Sequence, residues 1–266
     1  MEKCFNYNAL LNKLFEQWKN SYDKADRELF CEDGIMLKAD DSIDVNSEWE
    51  YVSRRILFLL KDNPDGGHDT RLWLKDEENG DNNRNLRTLF IKRIAQAFYG
   101  LLYCNHDNID ETNHSVISSR NKTGLVKRTW NERPFAFVEA KKLSGGKTVS
   151  ENQLNRALQR DAKFLKEEFD ILCPNVIVCC DNTGDSLFDF VTTCYLKNKD
   201  DFQEYGGKYI LEDDSVVPNL TTCLRYYPFD RIVVIKSYHP SARVGWKFLE
   251  KIFSPYRAFI REHPDF

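Results

Sequence analysis

A three-layer α/β/α sandwich, with a central, mainly parallel sheet of about four strands, is the fold class this sequence predicts. Two observations carry it. Four short apolar runs, Ile56–Leu60, Phe135–Val138, Val176–Cys180 and Ile232–Ile235, are each stopped by polar residues, as expected of strands buried on both faces. Segments with helical spacing separate them, and parallel neighbours need such crossover connections. At 266 residues the chain can enclose one large core or at most two small ones.

Residues 5–24 place Leu10, Leu11, Leu14, Phe15 and Trp18 at helical spacing, and the polar, turn-rich stretch to Trp49 completes an N-terminal arm over 1–50 that packs on the core. Residues 51–266 form a single domain. After the first strand, Leu86, Leu89, Phe90, Ile94, Ala97, Phe98, Leu101 and Leu102 follow a helical period. Residues 105–130 are polar and read as a long excursion. Ser150 and Gln153 make a capping-box signature for the helix that runs up to Pro174. A helix around Leu187–Tyr195, a hairpin within 207–227 and a last helix over 244–261 complete the pattern.

Eight cysteines without a C-x-x-C pair, mostly inside apolar segments, point to reduced thiols and a cytoplasmic location. Asn6, Asn8, Asn12 and Lys13 interrupt the first apolar residues, so no signal-peptide core is expected, and no run approaches membrane-spanning length. A net charge of −4 speaks weakly against a protein that coats nucleic acid, but a local basic face is compatible with it.

The chemistry lies where the strands end: Asp62-Asn63-Pro64-Asp65, Glu139-Ala140-Lys141, Asp181-Asn182 and Ser237-Tyr238-His239. In a parallel sheet these ends converge on one rim, where open α/β folds build their sites. A shared cleft requires Asn63 and His239 to lie within roughly two residue lengths, about 7 Å, and a wider separation rules it out. A proline-fixed turn, His239-Pro240-Ser241-Ala242, follows the last strand.

The order of Asp62-Asn63-Pro64 after an apolar strand, a second strand ending in a recognition residue, Pro174-Asn175-Val176-Ile177-Val178, and His239-Pro240-Ser241 resembles the uracil-DNA glycosylase superfamily over roughly residues 50–262. The resemblance implies base excision from single- or double-stranded DNA by a monomer that uses no metal and no other cofactor. It assigns Asn63 to orienting the attacking water and His239 to hydrogen-bonding the departing base. Ser241 would hold backbone phosphates, and Arg243 or Val244 would lie near the wedge that helps extrude the nucleotide. Lys141, Arg243 and Lys247 are the candidate DNA contacts, and Tyr238 the preferred stacking residue among Tyr51, Trp73, Tyr103 and Trp246.

Three departures from the family pattern stand beside the matches. Lys61 and Asp62 precede Asn63 where glycine usually opens the motif, and Asp65, a candidate substrate contact, follows Pro64. Asn63 cannot accept a proton, so a base must come from Asp62, ranked ahead of Asp65 and Asp69, unless cleavage is mainly dissociative. Glu139 occupies the place of the asparagine that reads uracil; an ionised carboxylate only accepts hydrogen bonds and suits an exocyclic amine, unless burial keeps it protonated. No cysteine spacing matches the iron–sulfur cluster of some members.

Two other readings remain open. Glu139-Ala140-Lys141 matches the E-x-K half of metal-dependent nucleases, which also needs an upstream acid on the neighbouring strand; Glu132 and Asp110 are poorly placed for it. A nucleic-acid- or nucleotide-binding scaffold of the same fold, without cleavage, is the second.

Overall fold

The computed structural model describes residues 5–63, 67–145, 148–181, 184–197, 201–211 and 215–266. In chain order the main elements are α1 (Tyr7–Asn20), β1 (Gly34–Ile35), α2 (Val45–Tyr51), β2 (Ile56–Asp62), α3 (Leu89–Tyr103), α4 (Arg120–Glu132), β3 (Ala136–Lys141), α5 (Glu151–Leu172), β4 (Val176–Asp181), β5 (Gln203–Ile210), β6 (Val216–Tyr227), β7 (Ile232–Tyr238) and α6 (Lys247–Glu262). Short helical turns punctuate the connections, including a π-turn at Phe190–Tyr195.

One seven-stranded sheet runs β1-β3-β2-β4-β7-β6-β5. It is wider than the four strands expected, and it is mixed: β3-β2-β4-β7 pair parallel in the middle, while β1, β6 and β5 add antiparallel edges. The two-residue β1 is too short to leave a periodic signal, and the hairpin of β5 and β6 joins the sheet because β6 pairs with β7.

Period-two alternation sends side chains to two cores. Ile56, Phe58, Leu60, Phe137, Val178, Cys180 and Ile235 pack under α3, α4 and α6. Leu57, Leu59, Val138, Ile177, Cys179 and Val234 pack under α1, α2 and α5. The α5 cap forms as its sequence implies, with Ser150 N–H donating to Gln153 Oε1 at 3.0 Å and Gln153 N–H to Ser150 Oγ at 3.3 Å.

Residues 105–130 are not an irregular excursion. They fold as turns at His106–Glu111 and His114–Ile117, followed by α4, which buries Val126, Thr129 and Trp130. Three buried positions at i, i+3 and i+4 suffice because one is a tryptophan, whose ring stacks on Phe135 at 4.4 Å. No helix of the described residues is long and apolar enough to cross a membrane.

Candidate functional site

The chain order of the four parallel strands reverses between β2 and β4: β3 lies on one side of β2, and β4 and β7 on the other. A crevice opens outside the carboxyl ends of strands at such a switch point. The ion pair of Lys61 Nζ and Asp181 Oδ1, 2.8 Å apart, spans this point.

Register decides which side chains meet there. Leu60 pairs with Glu139 and Cys180 with Ser237, and the β2–β4 register, one step beyond Leu59 and Cys179, sets Leu60 beside Cys180. Glu139, Leu60, Cys180 and Ser237 thus form one row on the sheet face covered by α3 and α6. Two residues further on, Asp62 pairs with Lys141, and the same register carries His239 into this second row.

Above these rows, Trp73 packs against Phe137 at 5.7 Å and against Phe90 at 6.2 Å, and Phe90 lies 5.8 Å from the His239 ring. The aromatics bridge from the β3 side to the β7 side. Next to them a cleft of ≈ 680 Å³ is lined by His68, Trp73, Asn79, Asn83, Thr88 and Phe90, among others.

Three buried polar atoms on the two rows, Glu139 Oε2, Asp62 Oδ2 and Ser237 Oγ, have no hydrogen-bond partner among the described residues. A folded protein leaves few such atoms, and Asp62 Oδ2 has the Lys141 cation at 3.7 Å. Burial, with the Asp33 carboxylate nearby, drives the Glu139 carboxyl well above the usual range despite Lys142. Lys142 is engaged elsewhere, 2.5 Å from Asp33 Oδ1 and 2.9 Å from Glu168 Oε2. Burial thus favours the protonated form of the Glu139 carboxyl. Burial also raises Asp62, against the pull of Lys141 and Lys61.

β7 ends at Tyr238 because Pro240 has no N–H to continue the ladder. The chain folds back instead: Ala242 N–H donates to His239 O at 2.9 Å, and Ser241 N–H to His239 Nδ1 at 3.2 Å. Because Nδ1 accepts, the neutral ring carries its proton on Nε2. Burial and the Lys61 cation push the ring down to about 4, outweighing Asp181.

Asn63 is buried, and its Nδ2 lies 2.9 Å from His68 Nε2 and 3.7 Å from Cys31 Sγ. An amide nitrogen only donates, so His68 accepts. Asn63 and His239 leave strands separated by β4, which at ~4.8 Å per step sets those strands about 10 Å apart. That is wider than the 7 Å expected of direct proximity. The sheet therefore does not bring Asn63 and His239 together as a shared cleft would require; Lys61 and Asp181 lie between them.

Other candidates are placed differently. Asp65 lies outside the described residues. Asp69 is held by Arg71 through two 2.7 Å bonds and is not an available base. Lys141 turns inward, donating to Leu143 O and standing 3.7 Å from Asp62 Oδ2. Lys247 donates to Pro218 O at 3.2 Å, and Ser241 and Arg243 are exposed on the loop after β7. At Tyr238, Lys251 Nζ lies 4.4 Å from the ring centre and the hydroxyl donates to Asn219 O. Trp246 stacks on His114 at 5.0 Å, and Tyr51 and Tyr103 are exposed. Trp73 alone of the five stands in the aromatic bridge.

Phe90 and His68 were hidden in the sequence, Phe90 as an apparent core position of a helix and His68 as part of a turn. Thr88 was the usable signal for Phe90. Its hydroxyl caps α3 by accepting from Ile91 N–H, which puts Phe90 in the first turn, at the rim.

A scan against protein-family models finds no match, and a search of the curated proteins finds no relative. Among the described residues, no group of three or more His, Cys, Asp or Glu is placed to hold a metal ion.

Proposed function

We propose that this chain is a uracil-DNA glycosylase-like enzyme that hydrolyses the N-glycosidic bond of a flipped deaminated or damaged base without a metal. The observation that carries it is His239 Nδ1 accepting from Ser241 N–H, which leaves the ring proton on Nε2, at the carboxyl end of the parallel sheet that also carries Asp62 and Asn63.

As the bond from C1′ to the base nitrogen breaks, its electron pair moves onto the base. A donor fixed where that charge develops stabilises the transition state more than the ground state. His239 Nε2–H supplies the donor to a base carbonyl oxygen. Water, oriented by Asn63, adds to C1′ and gives its proton to Asp62, whose burial-raised basicity suits the task. Phe90 and Trp73 offer the apolar surface for the base, and Ser241, Arg243 and Lys247 lie on the side available to phosphates.

Glu139 changes the substrate expected. An ionised carboxylate would favour an amine, but a neutral carboxyl donates through O–H and accepts through C=O, as an asparagine amide does. It therefore suits a base whose ring N–H adjoins a carbonyl, uracil and hypoxanthine included.

One observation favours the nuclease reading: the acid beside the E-x-K lysine is Asp62, paired with Lys141 on the neighbouring strand. Oligonucleotides carrying uracil, hypoxanthine, xanthine or alkylated bases, treated with alkali after incubation, separate the possibilities. Abasic sites formed equally well in EDTA are expected. Direct strand scission abolished by EDTA and by Glu139→Ala would transfer the site to the nuclease, and binding without any cleavage would leave a scaffold.

A further inference from the structure

Arg93, on the second turn of α3, is buried beneath the loop that presents His239. Its Nη1 donates to Pro240 O at 2.7 Å and to Ala242 O at 2.5 Å, and its Nη2 to Gly245 O at 3.2 Å. The guanidinium also lies 5.6 Å from the centre of the Phe248 ring. It forms no salt bridge among the described residues, so its charge is met by three backbone carbonyls. Burying an arginine this way is costly, and the three carbonyl bonds that offset the cost fix the loop from Pro240 to Gly245.

A trans peptide points its C=O and its N–H in opposite directions. Pro240 O facing Arg93 therefore turns Ser241 N–H the other way, and that N–H is the group that donates to His239 Nδ1. The chain of contacts runs from guanidinium through one peptide plane to the imidazole. A cation on the carbonyl end polarises the peptide and strengthens its N–H as a donor. The same helix carries Phe90, so the clamp also fixes the histidine relative to its aromatic neighbour.

We infer that Arg93 is a positioning residue that acts through the Pro240–Ser241 peptide to hold His239 as the Nε2–H tautomer. The inference rests on His239 being the working donor of the proposed site. The charged groups that face the ring are Lys61 from β2 and Asp181 from β4, and Arg93 reaches it only through the peptide. Removing the clamp frees Ser241 N–H to turn away, and Nδ1 then regains access to a proton.

The test is nitrogen-detected NMR of the histidine rings in the full chain, as wild type, Arg93→Gln and Arg93→Lys, over a pH titration. Wild type is expected to show His239 as a single Nε2–H tautomer with a midpoint near 4. Arg93→Gln should show mixed tautomers and a midpoint moved toward the ordinary 6.5, with Arg93→Lys between the two. Ring signals are read only from variants whose far-ultraviolet circular dichroism matches wild type, and Phe248→Leu, which perturbs the same packing but leaves the clamp intact, controls for loosening of the loop. A His239 tautomer and midpoint unchanged in Arg93→Gln would overturn the inference, as would an equal shift in Phe248→Leu. Because the readout needs no substrate, it stands apart from glycosylase activity: absence of base excision with the expected NMR shift would fail the function and leave the clamp.

Discussion

Burial disfavours the charged forms of both His239 and Glu139, and they make stability respond to pH in opposite directions. Between about 4 and 6.5 an unfolded histidine binds a proton that the folded ring refuses, so stability falls as pH drops through this window, by ~3 kcal/mol at most. Glu139 does the reverse. Above the ordinary carboxylate range the unfolded chain releases a proton that the folded carboxyl keeps, so stability declines as pH rises. Glu139→Gln keeps the shape and removes the titration. Its urea midpoint is expected to exceed wild type at pH 8 and to match it at pH 4; a lower midpoint at pH 8 would mean that Glu139 is ionised and paired. His239→Ala should lower base excision ~100-fold or more while leaving the fold intact, the usual loss of a donor aimed at developing charge. The positions of His239, Asn63, Asp62 and Glu139 at or just after strand ends were legible in the sequence. The upward shift of the Glu139 carboxyl was not, because it comes from burial and from the Asp33 carboxylate, which a distant part of the chain supplies.

At the scale of elements, the four central strands were legible because each is a continuous apolar run, whereas α4 was not. Its sequence is polar at most positions, and its anchorage comes from Trp130, fully buried between the sheet and α3. Trp130→Ala is expected to cost ~3–5 kcal/mol in urea unfolding, as large aromatic truncations in cores do. A loss under 1 kcal/mol would show that α4 is loosely attached. The edge strand β1 was equally hidden: Gly34 has φ +127°, and a Cβ there would meet Leu11 Cδ1 at 2.4 Å. Its value lies in what precedes it, since Asp33 accepts the Glu139 backbone N–H at 2.6 Å and so ties the N-terminal arm to β3.

At the scale of the molecule, a parallel centre with a switch point between β2 and β4 gathers residues from Asp62 to Ser241 onto one rim. That gathering followed from the order of strands and crossovers. The width of the sheet did not, since pairing of the β5–β6 hairpin onto β7 is a long-range choice that period and composition do not encode. With a net charge of −4, the proposed DNA binding would rely on local basic residues such as Arg243 in the loop after β7. Arg243→Ala is therefore expected to weaken oligonucleotide binding several-fold and to flatten its salt dependence, while an unchanged slope would place the DNA elsewhere. Base excision itself is tested most directly by mass spectrometry of free bases released from uracil- and hypoxanthine-containing oligonucleotides in EDTA. Release by wild type and its loss in His239→Ala are the predicted result; oligonucleotides with every glycosidic bond intact after incubation with wild type would contradict it.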